Sequence, residues 1–93
     1  MLKGASFAPP WIETDKEIRA LLARRDAILA RAPRSSEIGR RRDEAELRQV
    51  VSAANDAIFR LNHEAPTIRQ HRRPLDLDAE LVTLAAAHAE GAG

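Results

Sequence analysis

Aliphatic residues recur at spacings of three and four through most of this chain, a period that belongs to helices rather than strands. From Trp11 to Ala32 the positions Trp11, Ile18, Leu21, Leu22, Ile28, Leu29 and Ala32 fall on one stripe. They predict a first helix over 11–32, after an irregular lead-in over 1–10 that closes on Pro9-Pro10. Proline suits a first helical turn, where its missing N–H would have no partner anyway. Glu13 and Asp15 then lie near the positive end of the helix dipole. Arg25 falls on the apolar line. Its stem is expected to lie on that surface with its head in water, because an unpaired buried charge is costly. Pro33 ends the helix, and Ser35 or Ser36 can cap the next one.

The clearest stripe is Leu47, Val50, Val51, Ala54, Ala57, Ile58 and Leu61, which predicts a second helix over 36–62. Its outer face alternates in sign, pairing Arg40 with Glu44, Glu44 with Arg48, and Asp56 with Arg60 at helical spacing. Gly39 weakens its first turn by about 1 kcal/mol relative to alanine. The short connector makes the two helices antiparallel neighbours. At 1.5 Å per residue they reach about 30 and 39 Å, so the second overhangs the first. Residues 66–74 have no helical period and carry proline at each end, which predicts an extended return segment anchored by Ile68. A third helix over 76–89 follows, capped by Asp76, with Leu77, Leu81, Leu84 and Ala85 as its apolar face. Glu90-Gly91-Ala92-Gly93 reads as a disordered tail.

The expected fold is therefore one all-α domain over 1–93, a long antiparallel helical hairpin of coiled-coil character followed by an extended return segment and a short third helix. Composition fits a thin core. Of the 93 residues 44% are hydrophobic, but only 3% are aromatic and alanine supplies much of the rest. Small domains of this kind often gain stability by associating, so a protein partner or self-association is expected. No cysteine is present, which excludes disulfides, thiolate zinc sites and cysteine nucleophiles. No apolar run approaches the roughly 18 residues of a membrane span, and the first residues lack the apolar core of a secretory signal. The expectation is a cytoplasmic protein without a membrane partner.

Candidate chemistry is sparse. His63-Glu64 begins a zinc-protease pattern that needs a second histidine four residues after the first, and that position is Thr67. His63, His71 and His88 share no metal-ligand spacing. Ser35 and Ser36 read as caps, Ser6 lies in the lead-in, and Ser52 is mid-helix with no histidine at helical spacing. No glycine-rich phosphate loop occurs, and the paired carboxylates Asp43-Glu44 and Asp76-Asp78 sit on helix surfaces or ends. Neither a catalytic residue, a cofactor nor a metal is expected, and the chain is not expected to be an enzyme.

Charge suggests one alternative. Lys plus Arg is 15 against 14 for Asp plus Glu, so there is no global attraction to polyanions. Locally, however, Arg40, Arg41 and Arg42 form one cluster, and Arg69, Arg72 and Arg73 form another with His71. Each could contact phosphates, though no aromatic residue lies beside them for base stacking. Asn55 and Asn62 lie seven apart on one edge of the second helix. Asn62 could simply end that helix with Asn55 exposed. Alternatively both amides bond the backbone of the return segment, whose N–H and C=O groups otherwise lack partners. With Pro66 they are assigned structural roles.

One resemblance emerges from several of these stretches together. The run Leu2-Lys3-Gly4-Ala5-Ser6-Phe7-Ala8-Pro9-Pro10-Trp11-Ile12-Glu13, continuing into Glu13-Thr14-Asp15-Lys16-Glu17-Ile18, resembles the conserved domain of the DnaJ homologue subfamily C member 28 family. Asn55, then Asn62-His63-Glu64-Ala65-Pro66, and Arg73-Pro74-Leu75-Asp76-Leu77-Asp78-Ala79-Glu80-Leu81 are similar to later parts of the same domain. The likeness is to that domain's C-terminal part, and no His-Pro-Asp tripeptide of a J-domain is present. It implies a chaperone-associated or trafficking-associated binding module with no catalytic or ligand residue. The function expected is thus a non-catalytic protein-interaction or scaffold module that binds through apolar helix faces. Phe7, Trp11 and Phe59 are its candidate partner anchors, since aromatic residues dominate interface energetics. The alternative is a nucleic-acid-binding module using the two arginine clusters.

Overall fold

A computed structural model describes residues 10–64 and 72–92. Helix α1 spans Pro10–Arg31 and helix α2 spans Glu37–Glu64, joined by a 3-10 turn at Ala32–Arg34. Helix α3 spans Leu77–Ala92. Among the described residues there is no strand, and the fold is all-α.

Helix α2 shows most directly why the chain folds this way. Asp43, Leu47, Val50, Ala54, Ala57 and Leu61 alternate at four and three residues, and all are buried. That is the seam of a coiled coil. The facing line is Thr14, Ile18, Leu21, Arg25 and Ile28 of α1, continued by Ala32 of the 3-10 turn, with the same alternation. Two apolar clusters result. At one end Ile18, Ala57, Ile58 and Leu61 are enclosed, with Trp11 and Leu22 packed on them. This cluster needs only α1 and α2. At the other end Ile28, Ala32, Leu47, Val50 and Val51 are closed over by Leu84 of α3, with Leu77, Leu81 and Ala87 beside it. The second cluster cannot form without α3.

The caps are local and specific. Ser36 Oγ accepts from the Gly39 N–H at 3.1 Å, which identifies Ser36 rather than Ser35 as the N-cap of α2. Asp76 Oδ1 accepts from the N–H groups of Asp78 at 3.0 Å and Ala79 at 3.3 Å, capping α3. Helix α2 continues two residues past the predicted end at Asn62, to Glu64. Pro66 disfavours helical backbone only at the residue before it.

The larger departure is at the end of α3. Glu90, Gly91 and Ala92 are helical, not a disordered tail. A Cβ built on Gly91 would lie 1.6 Å from the carbonyl oxygen of Pro33. The glycine is therefore not a stop signal: it lets the last turn of α3 lie directly against the backbone of the 3-10 turn. In an exposed helix Gly→Ala is worth about 1 kcal/mol of added stability. Here overpacking against backbone opposes it with about 1–3 kcal/mol. Gly91→Ala is expected to lower stability by up to about 2 kcal/mol and to speed amide exchange in the last turn of α3. A stabilised variant with unchanged exchange would show that the contact has no weight.

Arg25 also departs from expectation. Its side chain is only 23% exposed and its head meets Glu80 of α3 at 3.4 Å and Asp26 at 2.9 Å. Once α3 is in place a carboxylate partner reaches the apolar line, so the guanidinium is paired rather than projected into water.

Candidate functional site

The polar end of the hairpin gathers around one carboxylate. Asp43 sits on the α2 seam one turn before Leu47 and is 1% exposed. Its Oδ1 accepts from Arg31 at the end of α1, at 2.8 Å from Nε and 2.7 Å from Nη2. Its Oδ2 accepts from the Ser35 hydroxyl in the connector and from His88 Nε2 of α3 at 3.0 Å. Arg31 also pairs with Glu46. Asp43 thus ties α1, the connector, α2 and α3 together. Burial raises its pKa and is the largest single influence. Hydrogen bonds from Ser35, His88 and Arg31, with the charge of Arg31, together outweigh it and hold the carboxyl below its ordinary range. An ionised carboxylate only accepts, so His88 carries its proton on Nε2. The Arg31 guanidinium is held above its usual value, first by Glu46 and then by Asp43.

Serine, histidine and aspartate therefore converge, but in an order that does not activate a nucleophile. Nucleophilic chemistry requires the imidazole between the hydroxyl and the carboxylate. Here the carboxylate lies between, with the serine and the imidazole each bound to it. The arrangement is a structural tie.

The opposite end of the hairpin has its own ties. Thr14, 4% exposed on the α1 seam, donates to Glu64 at 2.8 Å. Asp15 accepts from Arg72 at 2.9 Å and Arg19 at 2.8 Å. The Arg72 hydrogen bond is the main reason its carboxyl lies below the ordinary range. Asn55 and Asn62 each grip both backbone groups of one residue. The Asn55 amide donates to the Leu75 carbonyl at 3.0 Å and accepts from the Leu75 N–H at 2.7 Å. Asn62 does the same to Arg72, at 3.0 and 3.1 Å. Asn62 lies within α2 rather than ending it.

Of the three expected partner anchors, Phe59 is 72% exposed and stacks on His63 one turn later, with centroids 6.1 Å apart. Trp11 is half-buried, packed against the Ile18 cluster. Phe7, Arg69, His71 and Pro66 lie outside the described residues. Arg40 is half-buried with an Nε that has no hydrogen-bond partner, whereas Arg41, Arg42 and Arg73 are exposed. Of the three expected pairs on the outer face of α2, Glu44–Arg48 forms at 3.7 Å; Arg40 does not pair with Glu44, and Arg60 reaches across to Glu17 of α1 at 2.9 Å rather than to Asp56. Arg72 is committed to Asp15. From Arg41 to Asn62, which holds Arg72, is about 30 Å along α2. The arginine clusters therefore form two patches, not one. His63 and His88 lie at opposite ends of the hairpin, and no metal-competent cluster of His, Asp or Glu occurs among the described residues.

Asp43, Thr14, His88 and Gly91 were not singled out by sequence patterning as participants in the fold. Each nonetheless keeps the seam period: Asp43 stands four before Leu47, Thr14 four before Ile18, and His88 and Gly91 four and seven after Leu84. Among the described residues no helix is long and apolar enough to cross a membrane. Comparison of the chain with protein-family models, curated proteins and solved structures gives no match.

Proposed function

We propose that this chain is a protein-interaction or scaffold module whose apolar helix faces are its binding surfaces, without a catalytic role. What supports this most is that α3 is apolar on both sides. Its inner line closes the core through Leu77, Leu81 and Leu84. On its outer side Ala79, Val82, Ala85, Ala86 and Ala89 are all exposed, Val82 at 69%. A helix with apolar residues on two sides normally covers both, and an uncovered apolar face marks a candidate interaction surface. Phe59 offers a further face on α2. The similarity to the DnaJ homologue subfamily C member 28 domain adds a chaperone-associated role to the proposal, and a cytoplasmic setting is proposed with it.

The test compares the wild type with Val82→Asp and Phe59→Ser, two surface changes expected to leave helical circular dichroism intact. Val82→Asp should remove most of whatever associates with the wild type, and Phe59→Ser should weaken association. Association unchanged in both variants would defeat the proposal. Arg41, Arg42 and Arg73 are exposed without ion pairs among the described residues, and they favour nucleic-acid binding as a second reading. Salt separates the two. Retention through arginines falls steeply with ionic strength, apolar association does not, and no retention on nucleic acid at low salt removes the second reading.

A further inference from the structure

The outer face of α3 has features that specify what covers it. Ala79, Val82, Ala86 and Ala89 are spaced three, four and three, which is the alternation of a helix-packing seam. Beside this line an open cleft between α2 and α3 is lined by Arg40, Arg41, Glu44, Ala85, His88 and Ala89. Glu44 is paired with Arg48 and His88 with Asp43, while Arg40 and Arg41 have no ion-pair partner among the described residues. The face is thus apolar along its length and positively charged along the α2 side near its C-terminal end.

The chain itself contains a helix complementary to this surface. Leu77–Ala92 holds Asp78, Glu80 and Glu90 but no lysine or arginine. Glu80 is used by Arg25, whereas Asp78 is exposed without an ion pair among the described residues. Asp78 and Ala85 are seven apart, so they share the edge of α3 that borders α2. Resting on the reading of α3 as a binding face, we propose that its occupant is a second copy of this chain, with the two α3 helices packed antiparallel about a two-fold axis.

Symmetry and charge fix the orientation. Antiparallel pairing of the seam sets residue 79 against 89 and residue 82 against 86 of the other copy, centred at position 84. A two-fold axis perpendicular to both helices keeps their α2-bordering edges on the same side. Asp78 of one copy then falls opposite position 90 of the other, at the level where Arg41 stands beside Ala89. The contact occurs twice, as an isologous interface requires. Parallel pairing, about an axis along the helices, would instead put the two α2-bordering edges on opposite sides and leave Asp78 with no Arg41 across from it.

Sedimentation of the full chain over a concentration series tests this, with Asp78→Arg and Arg41→Asp made separately. The wild type should dimerise, and each variant alone should dissociate at least about tenfold more readily, since both symmetric pairs become repulsive. An equimolar mixture of the two variants should dimerise again, because each interface contact then joins opposite charges. Mixing cannot repair a folding defect, so recovery reports an intermolecular pair. A wild type that is monomeric throughout, or a dimer indifferent to both charge changes and to Val82→Asp, overturns the proposal. In the monomeric case, association with another protein that is lost in Val82→Asp would leave the broader interaction reading standing. Indifference of every association to Val82→Asp would remove both.

Discussion

Replacing Asp43 with alanine is expected to destabilise the chain by about 3 kcal/mol, the lower end of what removing one partner from a buried charge network costs. The lower end applies because Arg31 is 43% exposed on its side chain and keeps Glu46 as a partner. His88 has no such recourse: its side chain is 12% exposed and its Nε2–H points at the vacated position. Ser35 loses its acceptor as well. Because the network holds α3 against the hairpin, amide protection in α3 should fall further than in the Ile18–Leu61 end of the core, which α1 and α2 form alone. Asp43→Asn retains the shape but not the charge and should fall between. Denaturant unfolding followed by circular dichroism measures all three proteins. A loss under about 1 kcal/mol, the range of surface pairs, would mean that the network contributes no more than an exposed ion pair.

The pH dependence has a definite sign. The folded-state pKa of Asp43 is depressed, so its contribution is fully present above the unfolded value of about 3.9. It is lost as pH falls through the lower folded value, when the folded state must take up a proton that the unfolded chain accepts more readily. Asp15 acts in the same direction through Arg72. The stability difference between wild type and Asp43→Asn should therefore be constant near neutrality and shrink below about pH 4.

How much of this was legible depended on whether a residue's partner lay nearby in sequence. The seam of α2 was legible because aliphatic periodicity needs no knowledge of the other helix. Asp43 was not, because a carboxylate beside Glu44 and Arg42 is indistinguishable from the charged outer face until Arg31, Ser35 and His88 converge on it. Two of the three pairs of the charge lattice failed for a related reason. Helical i,i+4 pairs are worth only about 0.2–0.5 kcal/mol, so Arg60 turns to Glu17 on α1 when that carboxylate is within reach. Gly91 was placed in a disordered tail because it lies near the chain end, whereas its backbone is needed against Pro33. The outer face of α3 was legible in composition but not in meaning. The alanines were visible, and only the placement of Leu77, Leu81 and Leu84 on the core shows which of them remain uncovered.

The asparagine pair is the counterexample, a long-range feature that spacing alone could suggest. Seven residues of α2 advance about 10.5 Å along its axis. Three residues of extended chain cover about 10–11 Å. Asn55 and Asn62 are seven apart, and the residues whose backbone they grip, Leu75 and Arg72, are three apart in the opposite direction. The match means that residues 72–75 run extended and antiparallel to α2 in a register the two amides set. Each amide satisfies one N–H and one C=O in a segment with no regular secondary structure. Asn55→Ala and Asn62→Ala are each expected to cost about 2 kcal/mol, within the range for leaving part-buried backbone groups unpaired. Their sites are far enough apart for near-additivity, but both hold one short segment, so release by the first change reduces the cost of the second. The double variant should lose about 3 kcal/mol rather than the full sum. Asn55→Asp separates geometry from donor chemistry, because it keeps the acceptor for the Leu75 N–H and sets a carboxylate against the Leu75 carbonyl. It should cost at least as much as alanine. Hydrogen exchange reads the mechanism directly: the Leu75 N–H should lose protection in Asn55→Ala and the Arg72 N–H in Asn62→Ala. If the Leu75 N–H exchanges at the wild-type rate in Asn55→Ala, the helix does not set the path of the return segment, and α3 is positioned by its leucines and the Asp43 network without it.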